Sequence, residues 1–489
     1  MVPNHFKSLL SFATVFFTLT ACMVGPDYRK PALDAPASFK ETQGWKMAQP
    51  NDDAIRGAWW EIFNDPQLNA LEEQVNISNQ DLAAAEARFR QARALVQAAR
   101  SSYFPTVTIG LAVARSRQST NQSSSSSASQ GDVTNSSLPI DVSWEADIWG
   151  RIRRTVEANR ANAQASAADL ETTRLSTQAE MALDYFQLRT LDAQKRLLDA
   201  TVSAYSKSLE LTRNRYVSGV ASSADVLQAE TQLKTTQAQA IDVGVQRAQL
   251  EHAIAVLMGT PASTFRIPAE PVGILPPNIP AGLPSELLER RPDIAATERR
   301  VAAANAQIGV AKAAYFPKVT LSASGGFQSL SFSDWFAWPS RFWSVGPAIS
   351  ETVFDGGLRR SQSNQARASY DATVATYRQA ALTAFQEVED NLAAIRILEE
   401  EARVQEAAVK AARQSLAVVT NQYKVGTVGY LNVLTSQTTV LSNEKTAIDI
   451  LGRRMAASVL LIKALGGGWK SSDLPTAEEV AGSLDQQLW

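Results

Sequence analysis

Two stretches of this chain, residues 151–218 and 360–424, contain no proline. At 1.5 Å of rise per residue each would extend on the order of 95–100 Å as a single helix. That is far beyond an ordinary globular helix, and it implies coiled-coil packing against other long helices. The two stretches also belong to an internal duplication. Tyr103-Phe104-Pro105 recurs as Tyr315-Phe316-Pro317, and Asp81 as Asp293, both at an offset of 212. Gly150-Arg151-Ile152-Arg153-Arg154 matches Gly356-Gly357-Leu358-Arg359-Arg360 at an offset of 206. Tyr216-x-x-Gly219 matches Tyr423-x-x-Gly426 at an offset of 207, and the pairs Val226-Leu227 and Val433-Leu434 follow them.

Each half reads as the same series of elements. A first helix is expected over residues 65–101 and 285–314, with Leu82, Ala85, Phe89, Ala92 and Val96 at helical spacing. The Tyr-Phe-Pro unit ends it, because proline disfavours helix in the residue before it. Strands follow. Val107, Ile109, Leu111 and Val113 alternate with polar or small residues, as do Ile140, Val142, Trp144 and Ala146. In the second half the alternating residues are Val319, Leu321 and Ala323, then Trp343, Val345 and Ile349. Period two gives one apolar and one polar face. The Ser-rich stretch 119–137 reads as a solvated loop. The long helices come next and stop at Tyr-x-x-Gly, where glycine suits a tight turn. A second helix is expected over 222–258 and 430–464. The Pro-rich stretch 261–284, with Pro276-Pro277, reads as an extended linker. The chain thus divides into residues 1–21, 22–64, 65–260, 261–284, 285–465 and 466–489.

The N-terminus gives the compartment. Lys7, the apolar run 9–19 and Leu19-Thr20-Ala21-Cys22 read as a cleaved secretory leader ending on cysteine. It resembles a bacterial lipobox, which implies acyl chains on Cys22. No internal stretch reaches the roughly 18–20 apolar residues of a membrane helix. Four half-apolar strands cannot close a barrel, since about eight are needed, and hydrocarbon does not tolerate open edges. Copies must therefore combine, with apolar faces toward lipid and polar faces toward a lumen. Trp335, Phe336, Trp338, Phe342 and Trp343 form either an interfacial girdle or an ordinary core.

Other chemistries are poorly supplied. A net charge of −2 gives nucleic acid no basic face. One cysteine excludes an intrachain disulfide and multi-cysteine zinc sites. Apart from His5 in the leader, histidine chemistry would rest on His252, which reads as a helix-surface residue. There is no G-x-S-x-G, no phosphate-binding loop and no His-rich metal motif, so no enzyme, cofactor or metal is expected. The competing reading is an envelope-spanning structural coiled-coil lipoprotein without transport, but such a spacer needs no half-apolar sheet.

Several motifs in combination resemble a known family. They are the lipobox, Val24-Gly25-Pro26-Asp27-Tyr28, Trp59-Trp60 before Asp65-Pro66, Trp144-Glu145-x-Asp147-x-Trp149-Gly150, Arg290-Arg291-Pro292-Asp293 and Phe354-Asp355-Gly356-Gly357. The chain is similar to the outer membrane factor (TolC-like) family, and within it to the NodT-like lipoprotein branch serving resistance-nodulation-division (RND) pumps. The resemblance implies an α+β membrane protein: a homotrimer with a twelve-stranded outer-membrane β-barrel, four strands per chain, continuous with a periplasmic α-helical coiled-coil barrel. It implies an equatorial collar from residues 27–60, the Pro-rich stretch and the C-terminal tail. It also implies a passive exit duct for small molecules, lipid-anchored in the outer membrane, working with a periplasmic adaptor and an inner-membrane RND transporter.

By the same resemblance the hairpin turns form the periplasmic entrance. Val217, Ser218, Gly219, Val220 and Ala221, with Val425, Gly426, Thr427 and Val428, would meet the adaptor. Tyr423 would bond Asp225 and hold the entrance shut, although Asp225 could equally serve as a helix cap. The sequence departs from the family pattern at Asn432 and Thr435, where relatives carry aspartates, and at Val428, where they carry an arginine. A less cation-selective entrance is expected.

Overall fold

The computed structural model describes residues 23–33, 35–36, 38–42, 57–117, 132–270, 273, 276–277, 279 and 289–482. Cys22, the leader and most of the Ser-rich stretch lie outside these residues. The duplication is exact in the lengths of three helix pairs. The first half contains α1 (Pro66–Ser78), α2 (Gln80–Ser101), β1 (Thr106–Ile109), β2 (Ala112–Ser116), β3 (Val133–Ala146), α3 (Arg151–Val217) and α4 (Ser223–Leu257). The second contains α5 (Pro292–Ala313), β4 (Lys318–Ser329), β5 (Arg341–Ser350), α6 (Leu358–Lys424) and α7 (Tyr430–Ala464), and a short α8 (Ala477–Ala481) follows. Both long helices have 67 residues, α4 and α7 both 35, and α2 and α5 both 22.

Three expectations about element bounds are corrected. The first helix breaks at Asn79, whose backbone is extended. The Asn79 side chain accepts from the N–H groups of Asp81 and Leu82 at 2.9 and 3.0 Å and donates to the Leu257 carbonyl at 2.8 Å, so it caps α2 and docks it on the end of α4. In the second half Glu289 and Arg290 are helical, the chain breaks at Arg291 and α5 starts at Pro292, while residues 285–288 lie outside the described residues. Arg291 is extended, as a residue before proline must be. The Ser-rich stretch is shorter than expected, because residues 133–137 already belong to β3 and pair with β2. Serine's polarity says nothing about its backbone, which enters a ladder like any other.

The sheet is antiparallel in the order β1–β3–β4–β5, with β2 continuing the line of β1 along β3. The interruption falls opposite Pro139, which has no N–H for the ladder but accepts from Gly110 N–H at 2.9 Å. The central pair, β3 with β4, joins the two halves. The register aligns Val107, Val142, Ala323 and Val345 across the sheet, and Ile109, Ile140, Gly325 and Trp343 beside them. The neighbouring rows hold Thr106, Ser143, Ser322 and Gly346, and Thr108, Asp141, Ser324 and Ser344. One face is apolar and exposed, the other polar.

Each long helix starts at a glycine with positive φ, Gly150 at 79° and Gly357 at 94°. An aspartate just before it accepts the first helical N–H groups. Asp147 takes those of Ile152 and Arg153, both at 2.9 Å, and Asp355 takes those of Gly357 and Arg359 at 2.9 and 3.2 Å. Trp149 stacks on Phe316 and donates to the Pro317 carbonyl, and Trp144 donates to the Tyr103 carbonyl. The Tyr-Phe-Pro and Trp-Glu-x-Asp motifs thus build one strand-to-helix corner. Beyond the corner, α3 contacts α2 and α5, and α5 contacts α6. Toward the far end α3 contacts α4 and α7, and α7 contacts α6. Four helices therefore lie side by side at either level.

Halfway along the long helices is the main core. Trp59, Phe63, Leu68 and Val75 pack there with Met181, Tyr185, Phe186, Val388, Leu392, Met455 and Leu461. The Pro-rich stretch is not a free linker. Ile267 and Ile279 enter this core, and the Pro268 carbonyl accepts from Arg189 at 2.7 Å. Arg291 ties the start of α5 to Glu387 of α6 and to the last carbonyl of α7, at 2.7 and 3.1 Å.

Glu72 on α1 is fully buried, and neither carboxylate oxygen has a hydrogen-bond partner. Burial pushes its pKa well above the ordinary carboxylate value. The folded state therefore binds this proton more tightly than the unfolded chain. Its contribution to stability is whole below the unfolded carboxylate pKa and is lost, at about 1.4 kcal/mol per pH unit, as pH rises toward the folded value. Glu72→Met should raise the thermal midpoint more at pH 8 than at pH 4, as pH-resolved melting would record.

Candidate functional site at the hairpin tips

The ends of α3 and α6 farthest from the sheet turn back on themselves through the two Tyr-x-x-Gly motifs. Gly219 and Gly426 take φ of 72° and 84°. Gly219 N–H bonds the Tyr216 carbonyl and Val220 N–H the Arg215 carbonyl, at 2.9 and 2.8 Å. Gly426 and Thr427 repeat this with Tyr423 and Gln422, at 3.1 and 3.0 Å. Both are Schellman turns, which only a residue tolerant of positive φ can close. Val217, Gly219, Val220, Val425, Gly426 and Thr427 are all exposed at these turns. Three exposed valines on two tight turns form a small apolar knob on each tip.

A compact core lies just behind the turns. Tyr205 and Leu209 of α3, Ala229 and Leu233 of α4, Tyr423 of α6, and Tyr430 and Val433 of α7 are buried together. Tyr423 and Tyr430 meet edge to face at 5.7 Å. Burial pushes the Tyr430 hydroxyl pKa up, and Tyr423 and Asp225 nearby add to the shift.

Asp225 and Tyr423 are brought near one cluster but are engaged elsewhere. Ser222 is the cap of α4 and Asp225 its third residue, in a reciprocal capping box. Ser222 N–H donates to the Asp225 carboxylate at 3.0 Å, and Asp225 N–H to Ser222 Oγ at 3.1 Å. The buried Tyr423 hydroxyl reaches Thr212 Oγ1 on α3 at 3.4 Å. Asn432 and Thr435 lie on the exposed face of α7, and Thr435 Oγ1 bonds back to the Leu431 carbonyl at 2.9 Å. From Tyr430 to Asn443 the chain has no charged side chain. Sequence reasoning missed Arg215, which crosses from the first hairpin to the second. Its only signal was a cation in the last turn of a helix beside the motif tyrosine.

The opposite end holds the expected tryptophans and the segment that follows Cys22, which itself lies outside the described residues. Met23, next after Cys22, lies against Gly150 at the strand-to-helix corner, where a Cβ on the glycine would meet it at 2.6 Å. Arg154, 1% exposed, holds the following segment through Asp27 at 2.9 Å, and Asn305 donates to the Pro26 carbonyl at 2.9 Å. Gly25 approaches Gly309 so closely that a Cβ would lie 2.5 Å from its Cα. In the β4–β5 connection Trp335 is 6% exposed and stacks on Phe336, whereas Trp338 and Trp343 are 78% and 81% exposed. Trp335 is thus the internal packing of this loop, and the other two tryptophans face outward.

Ser222→Ala and Asp225→Ala should each weaken the start of α4 by about 1 kcal/mol. Hydrogen exchange at residues 223–226 should then quicken about fivefold, while residues 420–424 are unaffected. Faster exchange at 420–424 in Asp225→Ala alone would show that Asp225 holds the second hairpin.

The sequence pattern described as "Outer membrane efflux protein" matches residues 71–260 and 283–467. The toluene efflux pump outer membrane protein TtgC of Pseudomonas putida is 32% identical over 95% of this chain and 96% of its own length. The pyoverdine export outer membrane protein OpmQ of Pseudomonas aeruginosa is 31% identical over 94% of this chain and 97% of its own. Among solved structures, the outer-membrane channel OprN superposes with a TM-score of 0.84 at 33% identity, covering 92% of this chain and 100% of that one. The two matched segments coincide with the two structural halves, and this chain belongs to the outer membrane efflux protein family.

Proposed function

We propose that three copies of this chain close into a passive exit duct, the outer-membrane component of a tripartite RND-type efflux pump. The observation that carries this reading is the half-apolar, four-stranded sheet standing on helices about 100 Å long. A sheet with two open edges and one apolar face suits one third of a twelve-stranded barrel. The four helices side by side at each level suit one third of a twelve-helix tube. The flanks support this too. Ile397, Val404 and Val418 recur at heptad spacing on exposed positions of α6, and Leu227, Ile241, Val245 and Val256 are exposed on α4. These apolar stripes fit between neighbouring copies.

Cys22 carries the lipid on this reading, as in the lipoprotein branch of the family. Met23 supports it, since it lies against Gly150 at the corner where the sheet meets the long helix, a level at which a neighbouring lipid could enter the membrane. The barrel spans the membrane by itself, so the acyl chains are secondary anchorage. Trp338 and Trp343, both exposed, serve as the aromatic girdle. The hairpin tips are the periplasmic entrance, and their valine knobs receive the adaptor. Transport energy comes from the inner-membrane partner, which also selects the substrate. Relatives named for toluene efflux and for pyoverdine export fit a duct of broad tolerance.

Two measurements test this. The purified full-length protein should conduct in planar bilayers with weak cation preference, and Asn432→Asp with Thr435→Asp should make it clearly cation-selective. No conductance at any voltage would favour a structural spacer, and strong cation preference in the wild type would refute the uncharged entrance. Cys22→Ser should abolish incorporation of labelled palmitate yet leave the protein in the outer-membrane fraction. Loss from that fraction would make the lipid the primary anchor.

A further inference from the structure

We propose that Arg215 is the clamp that holds the two hairpins of a protomer together at the entrance. This rests on the reading of the tips as the inner end of the duct. Arg215 sits in the last turn of α3 and reaches the other hairpin. Its Nη1 donates to the Lys424 carbonyl at 3.0 Å, and its guanidinium lies 4.6 Å from the centre of the Tyr423 ring. The Lys424 carbonyl is at the end of α6, where the helix dipole is negative, and Arg215 is at the same pole of its own helix. One cation thus serves two helix ends that would otherwise repel.

Other charges near the tips do not cross. Arg213 pairs with Glu230 inside the first hairpin, and Arg413 with Glu444 inside the second. The Tyr423–Thr212 bond does cross, but 3.4 Å is long for two hydroxyls. A charged donor at 3.0 Å over an aromatic face is the stronger tie. The duplication breaks here. The counterpart of Arg215 at the offset of 207 is Gln422, which cannot make this contact, and Tyr216 is exposed where Tyr423 is buried.

The seat is also incomplete. Arg215 Nε is buried without a hydrogen-bond partner. Moving the guanidinium into water regains that bond, which lowers the cost of release. A clamp that must hold at rest and let go on partner binding benefits from this.

Single-channel recording of the purified full-length protein tests the assignment. R215A and Y423L should each raise the open fraction at least tenfold, since both remove the stacked cation. R215K should fall between R215A and wild type, because an ammonium reaches the carbonyl but cannot stack flat. Y423F keeps the ring and loses only the long hydroxyl bond to Thr212, so it should open far less than R215A. R215A behaving as wild type, or Y423F opening as far as R215A, overturns the clamp. If R215A fails to assemble, R215K against Y423F decides, and R215K must be the more open. A wild type that conducts while R215A changes nothing refutes the clamp alone. If no variant conducts, the channel reading itself has failed.

Discussion

A backbone amide in hydrocarbon must find its partner within protein. The β1–β2 line and β5 each turn one row of hydrogen-bonding groups away from the sheet, and among the described residues no strand pairs with them. On the channel reading, these two edges require a neighbouring copy. Closure around a three-fold axis satisfies both at once and leaves no edge. The helices inherit the same geometry, because each long helix begins within a few residues of a strand. Whatever curvature closes the sheet also sets where α3 and α6 start.

The corner is therefore the joint of the molecule. Asp147 and Asp355 fix the first turn of each long helix, and Gly150 and Gly357 supply the backbone conformation that no other residue adopts without strain. The N-terminal segment is fastened to the same joint by Arg154. From the corner, alanines along α3 at 158, 161, 163, 165, 167 and 168 allow close approach of α2 and α5. The middle core then holds the long helices together, and their far ends are left with a small aromatic cluster and a few polar ties. On the channel reading, that gradient, with a large core in the middle and a small one at the tips, suits tips that move while the body stays rigid.

Much of this was legible in the chain. The duplication, the long helices, their stops at Gly219 and Gly426, and the alternation of the strands follow from local rules: proline exclusion, positive φ at glycine and the two-residue strand period. At Asn79 the local cap was open to a sequence reading, but the carbonyl that the same side chain docks on lies 178 positions away and was not. The pairing of Val133–Ser137 was hidden by serine, whose side chain reports solvation and not backbone pairing. The Pro-rich stretch looked like a linker because its anchoring isoleucines are isolated in sequence.

The hairpin tips divide in the same way. The sequence by itself determined that Asn432 and Thr435 leave α7 uncharged at its start, since charge is a property of composition. It also determined that two turns end in Tyr-x-x-Gly. Only the tertiary structure decided that Asp225 serves its own helix, that Tyr423 turns to Thr212, and that Arg215 crosses to the second hairpin. The physical reason is that a side chain with several possible partners is committed by distance, and the distances between hairpins are set by the packing of helices that are remote in sequence.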